Sequence, residues 1–214
     1  MAHYYDAEPT SPSDKRLISY RINGMNFEFV TDSNVFSRNA VDRGTDLLLQ
    51  ETIKDLKASG VKKGESFLDL GCGVGVVGIV LKSVFMACDV VQVDVNSRAV
   101  ELSRENASRN SVTMAKCLQS DVLSAIDEEL MFDAVVTNPP VRAGKKTVFA
   151  FYEQAFEHLK VGGAIYVVLQ RKQGAPSSAA KLEELFGNCD TLAIDGGYRV
   201  MRAVKSDIKG EDEI

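Results

Sequence analysis

Asn138, Pro139 and Pro140 form a stiff corner whose chemistry suits an amine. They follow the apolar run FDAVV, which is typical of a buried strand. Proline fixes its own φ, pushes the preceding residue toward extended geometry and has no N–H to donate. The Asn138 side-chain oxygen and a nearby backbone carbonyl are therefore two fixed acceptors. Two such acceptors suit a planar NH₂ group, a poor nucleophile whose reactivity depends on positioning.

A glycine-rich stretch, LDLGCGVGVVG, predicts a nucleoside site. It lies between a predicted strand and a predicted helix, where glycines let a ligand approach the backbone closely. Gly73, Gly75 and Gly78 satisfy the dinucleotide pattern GxGxxG. Gly71, Gly73 and Gly75 also give GxGxG directly after Asp69, which suits a nucleoside without phosphate. The glycines alone leave both kinds of cofactor open.

Two aspartates follow further predicted strands. Asp94 lies about 20 residues after the glycines, where an acid can accept hydrogen bonds from ribose hydroxyls. Asp121 follows the next apolar run. Ligands of doubly wound sheets bind outside the carboxyl ends of the strands, where the strand order reverses. We therefore expect Gly71, Asp94, Asp121 and Asn138 to share one edge of a sheet.

The rest of the chain predicts that sheet. Short apolar runs rich in β-branched residues alternate with helical patterns, which indicates a parallel sheet covered on both faces. The runs are residues 66–71, 89–95, 115–122, 132–138 and 164–170. The segment between the third and fourth runs predicts only a short turn. Two more runs flank Gly196-Gly197 and predict an antiparallel hairpin. The predicted fold is α/β, a Rossmann-like doubly wound sheet of seven strands, mostly parallel, that ends in this hairpin.

The amino-terminal part predicts an added β-hairpin and helix. Polar and apolar residues alternate around Asn23-Gly24, a strong hairpin signal. A helical apolar face follows, formed by Leu47, Leu48, Leu49, Ile53 and Leu56. We predict an N-terminal extension over residues 1–40, one catalytic domain over 41–206 and an acidic tail over 207–214.

Composition narrows the function classes. The 214 residues are 45% hydrophobic and 26% charged, as in ordinary globular proteins. No apolar run approaches the roughly 20 residues of a membrane span, and the first residues do not resemble a secretory signal. The four cysteines are never paired as CxxC, which favours reduced thiols. One of the two histidines, His158, is predicted on the surface of a helix. We expect a cytoplasmic protein without a metal site.

Charge distribution bears on the partner. A net charge of −5 argues against a protein that coats nucleic acid nonspecifically. Basic residues nevertheless follow two of the predicted strand ends: Arg142, Lys145, Lys146, Arg171 and Lys172. We predict a local positive rim that binds phosphates, with ordinary solvated surface as the alternative. A base inside a duplex cannot reach a deep pocket, so an unpaired or flipped nucleotide is expected.

The motifs together resemble a known family. DLGCGVG, VDVN, SDV and TNPP occur in the order seen in class I S-adenosylmethionine-dependent methyltransferases that methylate nitrogen. VFSRNAVDRGTDLLL, NPPVRAGKK, LQRKQGAPS and IDGGYRV resemble more closely the small-domain methyltransferase family. Its members include ribosomal RNA guanine-N2 methyltransferases acting on the small subunit. The resemblance covers residues 3–205. It implies S-adenosylmethionine as cofactor, guanine N2 of 16S ribosomal RNA as acceptor, and no metal.

The resemblance also implies roles for individual residues. Residues lining the methionine end of the cofactor would be Asp69, Gly71, Gly73 and Gly75. Residues meeting the rest of the cofactor would be Asp94 at the ribose, Asp121 at the adenine amine, and Asp42 and Thr45 on the carboxylate side. Asn138, with the Pro139 backbone, would hold the target amine for in-line attack on the methyl group.

One position departs from the resemblance. Many enzymes with an NPP corner place an aromatic residue next, to stack on the base, whereas this chain has Val141. Stacking must then come from elsewhere in the substrate site. Phe36 and Tyr198 are candidates, and core packing is the alternative for both.

Other functions remain open at this point. The NPP corner also suits other planar amines, namely adenine N6 in DNA or RNA and glutamine in a protein. A nicotinamide-dependent oxidoreductase would use Gly73, Gly75 and Gly78, but it leaves the NPP corner unexplained. It also lacks an obvious hydride-site histidine or tyrosine-lysine pair. A cofactor-binding protein without catalysis would leave an intact NPP corner without a use.

Overall fold

A computed structural model describes residues 7–8, 12–35, 37–114 and 116–207. The strands are β1 (Arg16–Ile22), β2 (Met25–Thr31), β3 (Ser66–Leu70), β4 (Asp89–Asp94), β5 (Lys116–Gln119), β6 (Phe132–Thr137), β7 (Leu159–Gln170), β8 (Asp190–Asp195) and β9 (Tyr198–Val204). The α-helices are α1 (Arg43–Ser59), α2 (Val76–Val84), α3 (Ser97–Arg109), α4 (Lys145–His158) and α5 (Ala175–Phe186). Two 3₁₀ turns cover Val141–Ala143 and Arg171–Gln173.

Seven strands form one sheet in the order β5-β4-β3-β6-β7-β9-β8. The first five in that order are parallel, whereas β9 runs antiparallel to both β7 and β8. The predicted fold, a mostly parallel sheet with a C-terminal antiparallel hairpin, is confirmed. Strands β4 and β5 lie on one side of β3, and the next strand along the chain, β6, pairs with the other side of β3. The switch point therefore lies between β3 and β6, where such sheets bind ligands.

Helices cover both faces of this sheet because its central strands are apolar on both sides. Along β3, Phe67 belongs to the core cluster on the α1, α2 and α3 face, and Leu68 belongs to the cluster on the α4 and α5 face. Both side chains are fully buried. Alternation of this kind follows from the two-residue period of a strand. Residues 120–131, all of which the structure describes, form turns rather than a helix, as the sequence predicts.

The predicted amino-terminal hairpin is also confirmed. β1 pairs antiparallel with β2, and the turn holds Asn23 and Gly24 at φ of 50° and 77°. Positive φ at both central residues suits Asn-Gly. The hairpin packs on α3 and adds Phe27 and Phe29 to the core on that face. It is thus joined to the sheet domain by buried apolar contacts.

His158 is placed differently from its prediction. It was expected on a helix surface, but it is only 9% exposed and its Nδ1 lies 2.9 Å from the Leu130 carbonyl oxygen. The helix ends here, and β7 begins at the next residue, so the imidazole is covered by the loop before β6. In the described part of the chain, no helix combines the length and apolarity that crossing a bilayer requires.

Candidate active site

A cavity of about 660 Å³ opens at the carboxyl edge of the sheet, beside the switch point. Its wall brings together the four residues that were expected to share one edge of the sheet: Gly71, Asp94, Asp121 and Asn138. A smaller cavity of about 50 Å³ lies beside it and is lined in part by Thr45, Asp69 and Gly73. The parallel strands place Gly71, Asp94, Asp121 and Asn138 at one edge because these residues end or follow β3, β4, β5 and β6, whose carboxyl ends all lie there. The two cavities share Ser37, Asp42, Gly71 and Asn138.

The glycines of the loop between β3 and α2 have two different uses. A Cβ added at Gly73, whose φ is +54°, would meet no atom within 4 Å, so this part of the loop borders open space. A Cβ at Gly75 would lie 2.5 Å from Ser103 Oγ, and one at Gly78 would lie 2.5 Å from Gln92 Nε2. Gly75 and Gly78 therefore permit close packing of α2 against its neighbours. The open, ligand-accessible portion of the loop is Gly71 to Gly73.

Asp69 braces the start of α2 from inside the protein. It is 2% exposed, and its Oδ2 accepts hydrogen bonds from the Gly78 N–H at 2.8 Å and from Gln92 Nε2 at 3.0 Å. Burial raises its pKa to about 7, although these two donors oppose the shift. Asp69 does not line the larger cavity, and its predicted contact with a cofactor stays a prediction.

Replacing Asp69 by asparagine is expected to flatten the pH dependence of stability. Burial raises the Asp69 pKa from 3.8 to about 7 in the folded protein. The folded state therefore binds the Asp69 proton more tightly than the unfolded state does. This difference stabilises the fold fully below about pH 4, and the stabilisation is lost as the pH rises through about 7. The side-chain amide of the Asp69→Asn variant titrates no proton, and its oxygen can accept the same two bonds.

The free energy of unfolding, measured in urea between about pH 4 and 8, checks this expectation. The difference between Asp69→Asn and wild type should grow in favour of the variant as pH rises, by on the order of 4 kcal/mol. Taking the difference cancels contributions from other titrating groups. A difference that is independent of pH would contradict a raised pKa at Asp69.

Asp94 is a preorganised carboxylate at the end of β4. Its Oδ2 accepts from the Gly73 N–H at 2.8 Å, and its Oδ1 accepts from the Asn96 N–H at 2.9 Å. Burial raises its pKa, and these backbone donors oppose the shift. The carboxylate thus ties the glycine loop to β4 and faces the larger cavity. Each oxygen keeps a lone pair for a further donor.

Asp121 lines the same cavity. It is exposed, and the preceding Ser120 N–H donates to the Asp94 carbonyl at 2.9 Å, which holds the turn beside β4. Val122, which follows, has φ of 51°, a region that β-branched residues rarely adopt. Such strain is typical of sites whose surroundings fix the backbone.

The NPP corner is rigid through its own hydrogen bonds. Thr137 is buried, and its Oγ1 donates to the Leu70 carbonyl at 2.8 Å, which ties the end of β6 to the end of β3. The Pro139 carbonyl accepts from the Val141 N–H at 2.8 Å, and Pro140 has φ −75° and ψ 77°, an inverse γ-turn. The turn fixes the direction of the Pro139 carbonyl, which keeps a second lone pair.

The Asn138 amide is held by its nitrogen. Its Nδ2 donates to Asp42 Oδ2 at 3.1 Å and to Thr45 Oγ1 at 3.0 Å. Both amide hydrogens are therefore used inside the protein. No described residue donates to Oδ1, and Asn138 lines the cavity. The amide thus offers the cavity an acceptor.

Asp42 connects this amide to two other elements. It is the N-cap of α1, and its Oδ2 also accepts from the Thr45 N–H at 3.0 Å. Its Oδ1 accepts from the Tyr198 hydroxyl at 3.0 Å, at the start of β9. The bond between Asn138 and Asp42 was not predicted from the sequence. The sequence does indicate that Asp42, three residues before Thr45, is a helix N-cap, but it does not indicate that Asp42 also bonds a residue at the end of a strand.

The candidate stacking residues are placed as follows. The Tyr198 ring lines the cavity, with its hydroxyl bonded to Asp42. Val141 lines the cavity and also packs on the α4 and α5 face of the core. Phe36 lies outside the described residues, and its stacking role stays a prediction.

The predicted basic residues lie on two turns beside the cavity. The first turn contributes Arg142 and Ala143 to the wall and leads into Lys145 and Lys146 at the start of α4. The second carries Arg171 and Lys172, and its last residue, Gln173, lines the cavity. All five basic residues are exposed. The ion pairs among the described residues involve other side chains.

Comparison with known proteins identifies the family. The methyltransferase small domain family matches residues 26–202. This chain belongs to that family. The methyltransferase assignment agrees with the predicted resemblance, and the oxidoreductase alternative is therefore wrong. In the part of the chain that the structure describes, no group of three or more His, Cys, Asp or Glu side chains is arranged to hold a metal ion.

Individual relatives of this methyltransferase extend over most of its length. It is 43% identical over 203 residues to the uncharacterized protein YbxB of Bacillus subtilis, which covers 95% of this chain and 98% of YbxB. The T. thermophilus 16S rRNA N2 G1207 methyltransferase RsmC, solved with AdoMet and guanosine, is 33% identical with a TM-score of 0.82. That match covers 92% of this chain and 52% of the RsmC chain, so this chain spans about half of its length.

A more distant match concerns the fold alone. A Pyrococcus furiosus methyltransferase is 20% identical, with a TM-score of 0.60 over 73% of this chain and 82% of that one. Similarity at this level supports the Rossmann-like sheet and carries no statement about substrate.

Proposed function

We propose that this chain transfers a methyl group from S-adenosylmethionine to an exocyclic amine, namely N2 of a guanine in 16S ribosomal RNA. The observation that carries the proposal is the Asn138 amide, which lines the cavity and whose NH₂ is bonded to Asp42 and Thr45, so that Oδ1 is left to accept from a ligand. The neighbouring Pro139 carbonyl supplies a second acceptor of fixed direction. The likeness to a 16S rRNA N2 methyltransferase supports guanine as the acceptor base.

The cofactor is S-adenosylmethionine, and the residues present suit it. Three carboxylates, Asp42, Asp94 and Asp121, line the cavity, which fits a ligand bearing positive charge, hydroxyls and an amine. Asp94 would accept from the ribose hydroxyls, and Asp121 would meet the adenine amine. Residues proposed for the methionine end are Asp69, Gly71, Gly73, Gly75, Asp42 and Thr45. When bound, the cofactor supplies an electrophilic methyl group on a cationic sulfonium.

The chain's own contribution to the reaction is orientation. Guanine N2 is conjugated with its ring, so its lone pair is a poor nucleophile. Asn138 Oδ1 and the Pro139 carbonyl would each accept one N–H, which turns the remaining lone pair toward the methyl group. Positioning of this kind can supply most of a rate enhancement. The same two oxygens would stabilise the positive charge that develops on nitrogen as the new N–C bond forms and the S–CH₃ bond of the sulfonium breaks. One of the two N–H protons would then leave to water, which gives the neutral methylated amine.

The RNA would bind across the two basic turns. Arg142, Lys145, Lys146, Arg171 and Lys172 are exposed beside the cavity, where they can contact phosphates on either side of a flipped guanine. Tyr198 and Arg142 line the cavity and carry planar groups that can stack on the base. Val141 has no planar group and cannot stack in this way. A ribosomal substrate would place the protein in the cytoplasm.

Methyl transfer to purified substrates tests the proposed function. Small ribosomal subunits and free RNA, both from a strain that lacks this gene, are incubated with radiolabelled S-adenosylmethionine and the protein. The labelled nucleoside is identified by mass spectrometry, and N2-methylguanosine is the expected product. Label in N6-methyladenosine, in DNA or in protein glutamine would overturn the guanine assignment and identify the acceptor amine.

Reversing charge on one basic turn is expected to weaken RNA binding. Lys145→Glu/Lys146→Glu should lower affinity for a small-subunit RNA fragment at least about tenfold and reduce the salt dependence by about two ions. Affinity for S-adenosylmethionine should not change. Filter binding over a range of salt concentrations measures both the affinity and its slope.

A matched pair of lysines provides the control. Lys62 and Lys63 are adjacent and exposed in the turn before β3, at the amino edge of the sheet. Lys62→Glu/Lys63→Glu changes the net charge by the same amount but should leave RNA binding within about twofold of wild type. Equal losses in the two double variants would contradict a localised rim and indicate an effect of net charge alone.

A further inference from the structure

We infer that Asp42 is a positioning residue that decides which end of the Asn138 amide faces the substrate. The inference rests on the proposed function, in which Asn138 accepts a hydrogen bond from the target amine. An asparagine amide has nearly the same shape when turned by 180°, but its oxygen and NH₂ exchange places. A turned Asn138 would present hydrogens to the hydrogens of the substrate amine. Catalysis therefore depends on a group that distinguishes the two orientations.

Asp42 makes that distinction electrostatically. Its Oδ2 lies 3.1 Å from Asn138 Nδ2, and Thr45 Oγ1 lies 3.0 Å from the same nitrogen. In the turned orientation, the amide oxygen would stand against the carboxylate oxygen at that distance. Two acceptors so close repel each other, whereas the observed arrangement pairs a charged acceptor with a donor. Thr45 alone would not decide the orientation, because a hydroxyl can donate or accept.

Asp42 is itself held so that it cannot follow a turned amide. The Tyr198 hydroxyl donates to its Oδ1 at 3.0 Å, and the Thr45 N–H donates to its Oδ2 at 3.0 Å. Arg43 Nη2 bonds Asp195 at 2.6 Å, which ties the start of α1 to the end of β8. A Cβ at Gly44 would lie 2.6 Å from the Tyr198 ring, so the helix start and the ring are in close contact. Three elements thus fix one carboxylate beside Asn138.

Exchange of the two side-chain types tests the inference. Asn138→Asp alone places two carboxylates in contact, and turnover should fall at least about 100-fold. Asp42→Asn/Asn138→Asp again pairs a carboxylate with an amide and keeps an oxygen at position 138, at the cost of the bond that Asp42 Oδ2 accepts from the Thr45 N–H. Turnover of this double variant, measured at saturating S-adenosylmethionine, should recover at least about tenfold over Asn138→Asp. Calorimetric titration of the cofactor in each variant measures any separate loss of a cofactor contact at Asp42.

The control is a carboxylate on the same helix that does not contact Asn138. Asp46 bonds the Tyr20 hydroxyl at 2.6 Å and Gln50 at 2.9 Å. Asp46→Asn should not rescue Asn138→Asp. Losses that simply add in Asp42→Asn/Asn138→Asp would overturn the inference, because a residue needed only for stability cannot restore activity to a second variant. Weaker cofactor binding in Asp42→Asn without rescue would assign Asp42 to the cofactor instead.

A measurement on the protein without cofactor reports the orientation directly. The side-chain NH₂ resonance of Asn138, assigned by its loss in Asn138→Ala, should exchange with water at least about tenfold more slowly than that of exposed Asn26. Asp42→Asn should accelerate this exchange. Equal rates in Asn138 and Asn26 would overturn the inference. Absence of N2-methylguanosine from RNA treated with the wild-type protein would instead overturn the proposed function, so the two failures are distinguishable.

Discussion

Replacement of Asn138 by alanine is expected to lower the turnover of methyl transfer by about 10²- to 10³-fold, the usual cost of removing one preorganised hydrogen-bonding group from a polar transition state. Affinity for S-adenosylmethionine should stay within about threefold of wild type. Single-turnover transfer with saturating RNA measures the first quantity, and calorimetric titration of the cofactor measures the second.

The separation of the two effects follows from how Asn138 is bonded. Its Nδ2 is bonded to Asp42 and Thr45, which leaves Oδ1 available to a ligand in the cavity. An acceptor oxygen suits the substrate amine, and Asp121 is the proposed partner of the cofactor amine. Alanine removes the acceptor but leaves Pro139 and Pro140 to fix the corner. The loss should therefore fall on the chemical step.

Asn188 provides a matched asparagine. Its Nδ2 donates to the Phe186 and Val204 carbonyls, and its Oδ1 accepts from the Val204 N–H, all at 2.8 to 2.9 Å. It lies beside the start of β8, away from the cavity. Asn188→Ala should reduce stability but leave turnover of the folded protein near wild type. Full turnover in Asn138→Ala would refute the mechanism, and equal losses in both variants would point to misfolding.

The fold was predictable because each of its signals is local. Strands such as FDAVV are apolar on both faces, and helical patterns separate them along the chain. A parallel sheet with helices on each side buries both faces of these strands. Asn23-Gly24 and Gly196-Gly197 supply the positive φ that tight hairpins need. The sheet edge then follows from topology, since parallel strands end together. The sequence alone therefore groups Gly71, Asp94, Asp121 and Asn138 at one edge.

The side-chain network of the site was not predictable in the same way. Asn138 and Asp42 are 96 residues apart, and Tyr198 and Asp42 are 156 residues apart. No periodicity connects such positions, because their contact depends on how α1 and β9 pack against the sheet. The same limit explains His158, whose helical pattern did not show that the loop at Leu130 covers it. The packing roles of Gly75 and Gly78 likewise depend on Ser103 and Gln92.

The site separates two kinds of acceptor, and this separation has a chemical reason. Carboxylates at Asp94 and Asp121 line the part of the cavity proposed for a cationic cofactor. The part proposed for the substrate amine presents neutral oxygens, from an amide and a carbonyl. A carboxylate at position 138 would face Asp42 directly and would disfavour ionisation of both groups. The neutral amide can be anchored by Asp42 because it carries a donor on one side and an acceptor on the other.

Replacement of Asp94 by alanine is expected to weaken S-adenosylmethionine binding at least about 100-fold. Hydrogen bonds to a charged group contribute about 1.5–3 kcal/mol each, and two ribose hydroxyls would donate to this carboxylate. Each 1.4 kcal/mol corresponds to a factor of about ten in the dissociation constant. The variant also loses the bond that Asp94 Oδ2 accepts from the Gly73 N–H at 2.8 Å. Calorimetric titration of the cofactor measures the change.

A second substitution separates the ribose contacts from the loop contact. Asp94→Asn keeps one oxygen to accept from the Gly73 N–H. It replaces the other oxygen with an NH₂ group, which cannot accept from the Asn96 N–H or from the proposed ribose hydroxyls. The affinity of Asp94→Asn for S-adenosylmethionine should lie between those of wild type and Asp94→Ala. Asp89→Ala is the matched control, because Asp89 is exposed at the opposite end of the same strand. Unchanged affinity in Asp94→Ala would refute the ribose role, since no other described carboxylate at the end of β4 could replace it.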